Sequence, residues 1–174
     1  MSEIAPTTPT PCPAAPAARP ALAPLIISPD RPWLAPLAGY SDLPLRLLCR
    51  EHGAACCETE MVSAKGLLHI SRGTSRLLDT CEADAPLVVQ LFGADPEIVA
   101  AGTDHVLARG FTHFDLNAGC PVSKVVKTGS GAAMMRDTKN LAAVTAAMVR
   151  QAGEGRVGVK LRLGWTHDEQ TFLD

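Results

Sequence analysis

At 174 residues the chain has the length of one ordinary domain, and its 47% hydrophobic and 20% charged residues are the proportions of a globular protein with a packed core. A net charge of −2 gives no support for nucleic-acid binding from overall basicity, and no apolar run approaches the ~20 residues of a membrane span. The six cysteines (Cys12, Cys49, Cys56, Cys57, Cys81, Cys120) contain no C-x-x-C pair and follow no recognisable secretory leader, so reduced thiols in a cytoplasmic protein are expected, with no metal site.

In chain order, residues 1–30 come first. "MSEIAPTTPTPCPAAPAARPALAP" is nearly all Pro, Ala and Thr and has too little apolar bulk to build a core, so a disordered leader is expected there and a folded domain over 31–174. "PWLAPLAG" reads as a short buried strand running into a loop. "SDLPLRLLCREHG" reads as a helix, with Ser41 as candidate N-cap, Pro44 in the first turn and Gly53 as the stop. "AACCETEM" is a second strand, "MVSAKGLLHI" a short helical piece, and "SRGTSRLLDTCEAD" a polar stretch without clear period. "APLVVQLFG" is a third strand, followed by a helix over "ADPEIVAAGTDHVLARG" that Asp95 caps, Pro96 opens and Gly110 ends. A fourth strand is expected over Phe111 to Leu116, running into Asn117. After the loop "TGSGAAMM" comes a helix capped by Asp137, with Leu141, Val144 and Met148 at helical spacing and Gly153 as its stop. "RVGVKLRLG" is a fifth strand.

Apolar strands alternating with capped helices give an α/β fold built of βα units on a parallel sheet buried on both faces. A doubly wound sheet and a (β/α)₈ barrel both fit that alternation. The first strand is not followed by G-x-G-x-x-G, which a dinucleotide-binding sheet would carry there. Unusual residues instead stand at the C-terminal ends of several successive strands: Pro36 to Gly39, Glu60, Gln90, Asn117 to Cys120, and Lys160 to Arg162. Barrel enzymes distribute their chemistry in this way.

Each of these groups also has a plain structural reading. Gln90 interrupts an apolar strand, and its amide needs partners; a flat heterocycle with a donor–acceptor edge or an ordinary internal hydrogen bond would serve equally. Lys160 and Arg162 share a strand face, because side chains alternate, and together favour an anionic or electron-rich ligand over two solvated strand-end cations. Cys120 sits between Gly119 and Pro121, which a packing cysteine does not need. It has no second thiol at metal spacing and no histidine in its loop, His113 lying in the preceding strand. A free thiol, with a pKa near ~8.5, is mostly protonated at neutral pH and can serve as a general acid. The glycines of "GSG" could cradle a phosphate or simply let the loop turn, and with 4% aromatic residues no stacking platform for single-stranded RNA is visible.

"LAPLAGYSDLPLRLLC", "VVQLFGADP", "DLNAGCPVSKVV", "GSGAAMMRD" and "VKLRLGW" occur in the order and approximate spacing of the tRNA-dihydrouridine synthases, flavin enzymes on a TIM barrel. The chain resembles that family over roughly residues 32–166, and N-x-G-C-P-x-x-K-V is its most specific motif. The resemblance implies FMN as cofactor, NADPH (or NADH) as reductant and tRNA as substrate. It implies that Pro36, Leu37 and Ala38 lie against the flavin, that Gln90 bonds its ring and that Lys160 stands at its polar edge. Cys120 would be the catalytic acid, with Asn117 and Arg162 near the target uracil.

The resemblance also implies later strands bearing a flavin-contacting histidine and N-x-D and G-R motifs for the FMN phosphate, then a helical domain that grips tRNA. The 174 residues contain no N-x-D, and their one G-R pair, Gly155-Arg156, precedes the fifth strand instead of following it. The expectation is therefore an N-terminal part of the catalytic barrel, about its first five strands, inactive as an isolated chain and monomeric in full-length form. Two other readings compete: a related FMN barrel acting as a pyrimidine dehydrogenase, and a non-catalytic tRNA-binding remnant.

Overall fold

The structure is a computed structural model that describes Leu25 and residues 28–69 and 72–173. The expected leader lies outside the described residues, apart from Leu25 and residues 28–30. Six strands are described: β1 (Trp33–Leu34), β2 (Cys56–Glu58), β3 (Val62–Ser63), β4 (Leu87–Phe92), β5 (His113–Ala118) and β6 (Val157–Leu161). Six helices accompany them: α1 (Leu43–Glu51), α2 (Ala64–Leu68), α3 (Arg72–Arg76), α4 (Pro96–Ala108), α5 (Ser123–Val126) and α6 (Thr138–Ala152).

Every strand pairing between these elements is parallel, and the order across the sheet is β1-β2-β4-β5-β6, with the short β3 also pairing with β4. Strands that neighbour one another in the order of the chain separate the two α/β possibilities. A doubly wound sheet reverses its strand order at a switch point, whereas a barrel wall advances in one direction with right-handed crossovers that keep its helices on one face. The described strands form an arc of such a wall.

The helices start where local chemistry dictates. Asp95 accepts hydrogen bonds from the backbone N–H groups of Glu97 and Ile98, and Asp137 accepts one from Asn140, so both serve as the expected caps. Gly53, Gly110 and Gly153 follow the last turns of α1, α4 and α6 with positive φ. The cap of α1 differs from expectation. Asp42, not Ser41, caps it through Leu45 N–H, while the Ser41 hydroxyl turns back to accept from Leu37 N–H at 3.0 Å. Two adjacent capping-type residues compete here, and burial of Ser41 against the preceding loop leaves the cap to Asp42.

Pattern reading misplaced or missed several short pieces. The fourth expected strand is displaced two residues, running His113–Ala118 rather than Phe111 to Leu116. β3, α3 and α5 had no periodic signal, being two to five residues long. The "GSGAAMM" loop contains a 3₁₀ turn, Gly131–Arg136, that buries Met134 and Met135 in the core.

The sheet has two chemically distinct faces. Val89, Leu91, Phe114, Leu116, Val157 and Val159 point outward and pack with Val99 and Val106 of α4 and Val144 and Met148 of α6. Alternation places Glu58, Gln90, His113, Asp115, Asn117 and Lys160 on the inner face. Strands β2, β4 and β5 are buried on both faces, as expected, but only the outer face is apolar. The inner wall is lined with polar groups, most of them buried.

Candidate active site

The cleft lies at the C-terminal ends of the strands. All eight candidate residues, Pro36, Leu37, Ala38, Gln90, Asn117, Cys120, Lys160 and Arg162, line this one cavity of about 290 Å³. They come from four segments distant in sequence: the loop after β1, β4, the end of β5 with its loop, and the end of β6 with its loop. Met61, Pro121 and Val122 line it too, and sequence reading did not single out Met61 or Val122. The Met61 sulfur lies 3.8 Å from Asn117 Nδ2; a lone methionine between Glu60 and Val62 gives no sequence signal for such a place.

No carboxylate lines the cleft, whereas an ammonium (Lys160) and a guanidinium (Arg162) do. This cationic lining suits an anionic or electron-rich ligand.

Cys120 is held through its backbone. Asn117 Oδ1 accepts from Gly119 N–H at 3.2 Å and from Cys120 N–H at 2.9 Å, the turn that an asparagine at a strand end makes with the following residues. The Cys120 carbonyl accepts from Ala132 N–H at 2.9 Å, and the Gly119 carbonyl from Arg162 Nε at 2.7 Å. Gly131 makes the Ala132 contact possible. Its φ is +62°, and a Cβ there would stand 2.6 Å from the Cys120 carbonyl oxygen. The "GSG" glycines thus serve the cysteine loop, at least through Gly131. Among the residues lining the cleft there is no histidine. His113 is two inward positions down β5 from Asn117, its Nδ1 is 3.1 Å from Thr112 Oγ1, and burial together with the nearby Arg156 charge lowers its pKa. Among the described residues that line the cleft, none offers the Cys120 thiol an imidazole base.

Both ends of the Gln90 amide are engaged along the sheet. Its Nε2 donates to Asp115 Oδ2 at 2.6 Å, and its Oε1 accepts from Asn117 Nδ2 at 2.8 Å. The internal-hydrogen-bond reading is therefore met, yet each end of the amide keeps one further hydrogen-bonding position.

Sequence reading also missed Asp115 and Glu58, both buried on the inner face. Burial raises Asp115 to about 6 against the lowering effects of the Gln90 hydrogen bond, the Lys160 charge and the Lys160 backbone N–H. Glu58 rises to about 8, through burial and then the neighbouring Asp115 charge, with Lys160 opposing; its Oε2 has no partner. An inner cavity of about 460 Å³, lined by both carboxyl groups, His113 and Lys160, lies on this wall. Lys160 lines both cavities.

Among the described residues no three His, Cys, Asp or Glu side chains come together as a metal-binding group, and no helix is long and apolar enough to cross a membrane. The five described cysteines form no disulfide.

Comparison with known proteins adds family information to this geometry. The family model described as dihydrouridine synthase matches residues 33–174. A protein named tRNA-dihydrouridine synthase B from Pseudomonas aeruginosa is 37% identical over 142 residues, which is 82% of this chain and 42% of that protein. A probable tRNA-dihydrouridine synthase from Treponema pallidum is 34% identical over 147 residues, covering 82% of this chain and 43% of its own length. A probable tRNA-dihydrouridine synthase 1 from Synechocystis is 34% identical over 140 residues, 80% of this chain and 39% of that protein. The chain thus spans about two fifths of the length of these curated relatives.

Proposed function

The chain belongs to the dihydrouridine synthase family, and on that footing we propose that it forms the flavin-facing part of a barrel that reduces a uridine in tRNA to dihydrouridine. The observation that carries this reading is the convergence of eight residues, expected from sequence to surround a flavin and a uracil, on one cleft with cations and no carboxylate.

The donor set fits FMN. Lys160 offers an ammonium, and Gln90 offers the hydrogen-bonding positions its sheet partners leave free, which suits the polar edge of a flavin ring; residues 36–38 supply an uncharged wall. When bound, FMN reduced by NADPH or NADH would supply the hydride for C6 of the uracil. The protein supplies the remainder. Cys120 donates the proton at C5, and the four backbone hydrogen bonds of its loop keep the thiol at the cleft. Lys160 stabilises negative charge at the flavin edge. Asn117 fixes the cysteine turn, Arg162 donates to the Gly119 carbonyl, and both line the cleft that would receive a base that has left its stack.

Support for an RNA partner comes from beside the cleft. A second hollow of about 390 Å³ shares Pro121 and Arg162 with it and is lined also by Lys127 and Trp165. The Arg136 guanidinium stands 5.1 Å from the Trp165 ring centre, so tertiary structure groups an aromatic with cations that are scattered in sequence. We place the protein among the cytoplasmic tRNA-modifying enzymes and take the full-length form to act as a monomer.

The test is titration of the complete synthase carrying these residues with FMN, followed by flavin fluorescence. Lys160→Met and Gln90→Leu should each weaken binding about tenfold or more, while Cys120→Ala leaves it within about twofold. In the complete synthase carrying these residues, the same Cys120→Ala change should abolish dihydrouridine formation. Absence of FMN binding, or full turnover without the thiol, would overturn the reading.

A further inference from the structure

The hydrogen bonds on the inner wall form one directed chain, and it starts at a residue outside the cleft lining. Asp115, on β5 between β4 and β6, accepts from the Gln90 side chain on β4 at 2.6 Å and from the backbone N–H of Lys160 on β6. Gln90 Oε1 then accepts from Asn117 Nδ2 at 2.8 Å, and Asn117 Oδ1 accepts from Gly119 and Cys120 N–H. An ionised carboxylate only accepts, and a backbone N–H only donates. Each amide between those two ends therefore has a single orientation that satisfies its neighbours. Asp115, Gln90 and Asn117 are all at least nine-tenths buried, so water does not readily replace a lost link.

We propose that Asp115 is a positioning residue for the reaction: it sets which way the Gln90 and Asn117 amides face the cleft, and through them holds the Cys120 loop in place. It also grips the strand carrying Lys160, so one carboxylate ties together the ligands assigned to the flavin and the group assigned to the proton. An amide at 115 has one acceptor oxygen for two donors, and its NH₂ can confront that of Gln90. The chain then loses its fixed sense.

The proposal rests on the reading of Cys120, Gln90 and Lys160 as working residues, but its test requires neither FMN nor tRNA, so a failed flavin titration leaves it decidable. The rate of Cys120 alkylation by iodoacetamide is measured by peptide mass spectrometry in the wild type, Asp115→Asn, Asn117→Ala and the double variant. Buried Cys56 and Cys57 report on loosening of the fold, and exposed Cys81 reports on reagent reactivity. Asp115→Asn should change the Cys120 rate about threefold or more with Cys56 and Cys57 still protected, and the double variant should behave like Asn117→Ala alone, since links of one chain are not additive. An unchanged Cys120 rate, multiplicative effects in the double variant, or labelling of Cys56 and Cys57 in step with Cys120 would overturn it. Should Asp115→Asn fail to fold, Gln90→Leu interrupts the same chain one link on, and the same rate criteria apply.

Discussion

Glu58 and Asp115 dominate the acid–base behaviour of the inner wall at the residue scale. Both have folded pKa values above the ordinary carboxylate range, about 8 and about 6. The folded state therefore holds these protons more tightly than the unfolded chain does. Their contribution to stability is complete below about pH 4 and declines as pH rises, being lost for Asp115 above about 6 and for Glu58 above about 8. Glu58→Gln removes the part that depends on Glu58. Urea unfolding from pH 5 to 9 should show a decline in the wild type that is reduced in the variant, with the variant the more stable at pH 9. A wild type whose stability is flat across that range would contradict the assigned burial of Glu58.

At the element scale, α4 shows how locally a helix is specified. Asp95 satisfies two of its first N–H groups, Pro96 opens it, and Val99 and Val106 pack into the core beside α6. Asp95→Ala should cost about 1 kcal/mol in denaturant unfolding. Because the substitution lies at the helix start and not in the cleft, FMN affinity should stay within about twofold. The shorter pieces follow a different logic. α5 is a four-residue turn with no side-chain cap, and it takes its place where the Cys120 loop leads into the 3₁₀ turn that buries Met134 and Met135. Elements this short form through tertiary contact, which is why no periodicity announced them.

At the scale of the whole molecule, the first βα unit is fastened to the rest by a buried ion pair. Arg46 of α1 reaches Asp84 through Nε and Nη2, the latter at 2.8 Å, and donates also to the Ser41 and Asp79 carbonyls. Thr80 adds its hydroxyl to the same carboxylate at 3.0 Å. Asp84→Ala would strand the guanidinium without its counter-charge and should destabilise the fold by roughly 3–5 kcal/mol, read as a lowered urea midpoint. Asp84→Ala with Arg46→Met should recover much of that loss, because the penalty comes from an unpaired buried charge rather than from the absence of the pair.

By itself the sequence determined the α/β class, the caps at Asp95 and Asp137, the strand-end positions of the eight cleft residues and the family, because each is written in local chemistry: a capping carboxylate, a period of hydrophobicity, or a contiguous motif such as N-x-G-C-P. Only the tertiary structure decided the sequential strand order, the polar character of the inner face and the partners of Gln90. Asp115 shows the reason. In "FDLNAG" it is one acidic residue in an apolar run, and only the parallel register that sets it between Gln90 on one neighbour and Lys160 on the other places a buried carboxylate within reach of both. The α1 cap fell to Asp42 rather than Ser41 on the same grounds, since burial against a loop is decided by what packs there and not by the order of residues along the chain.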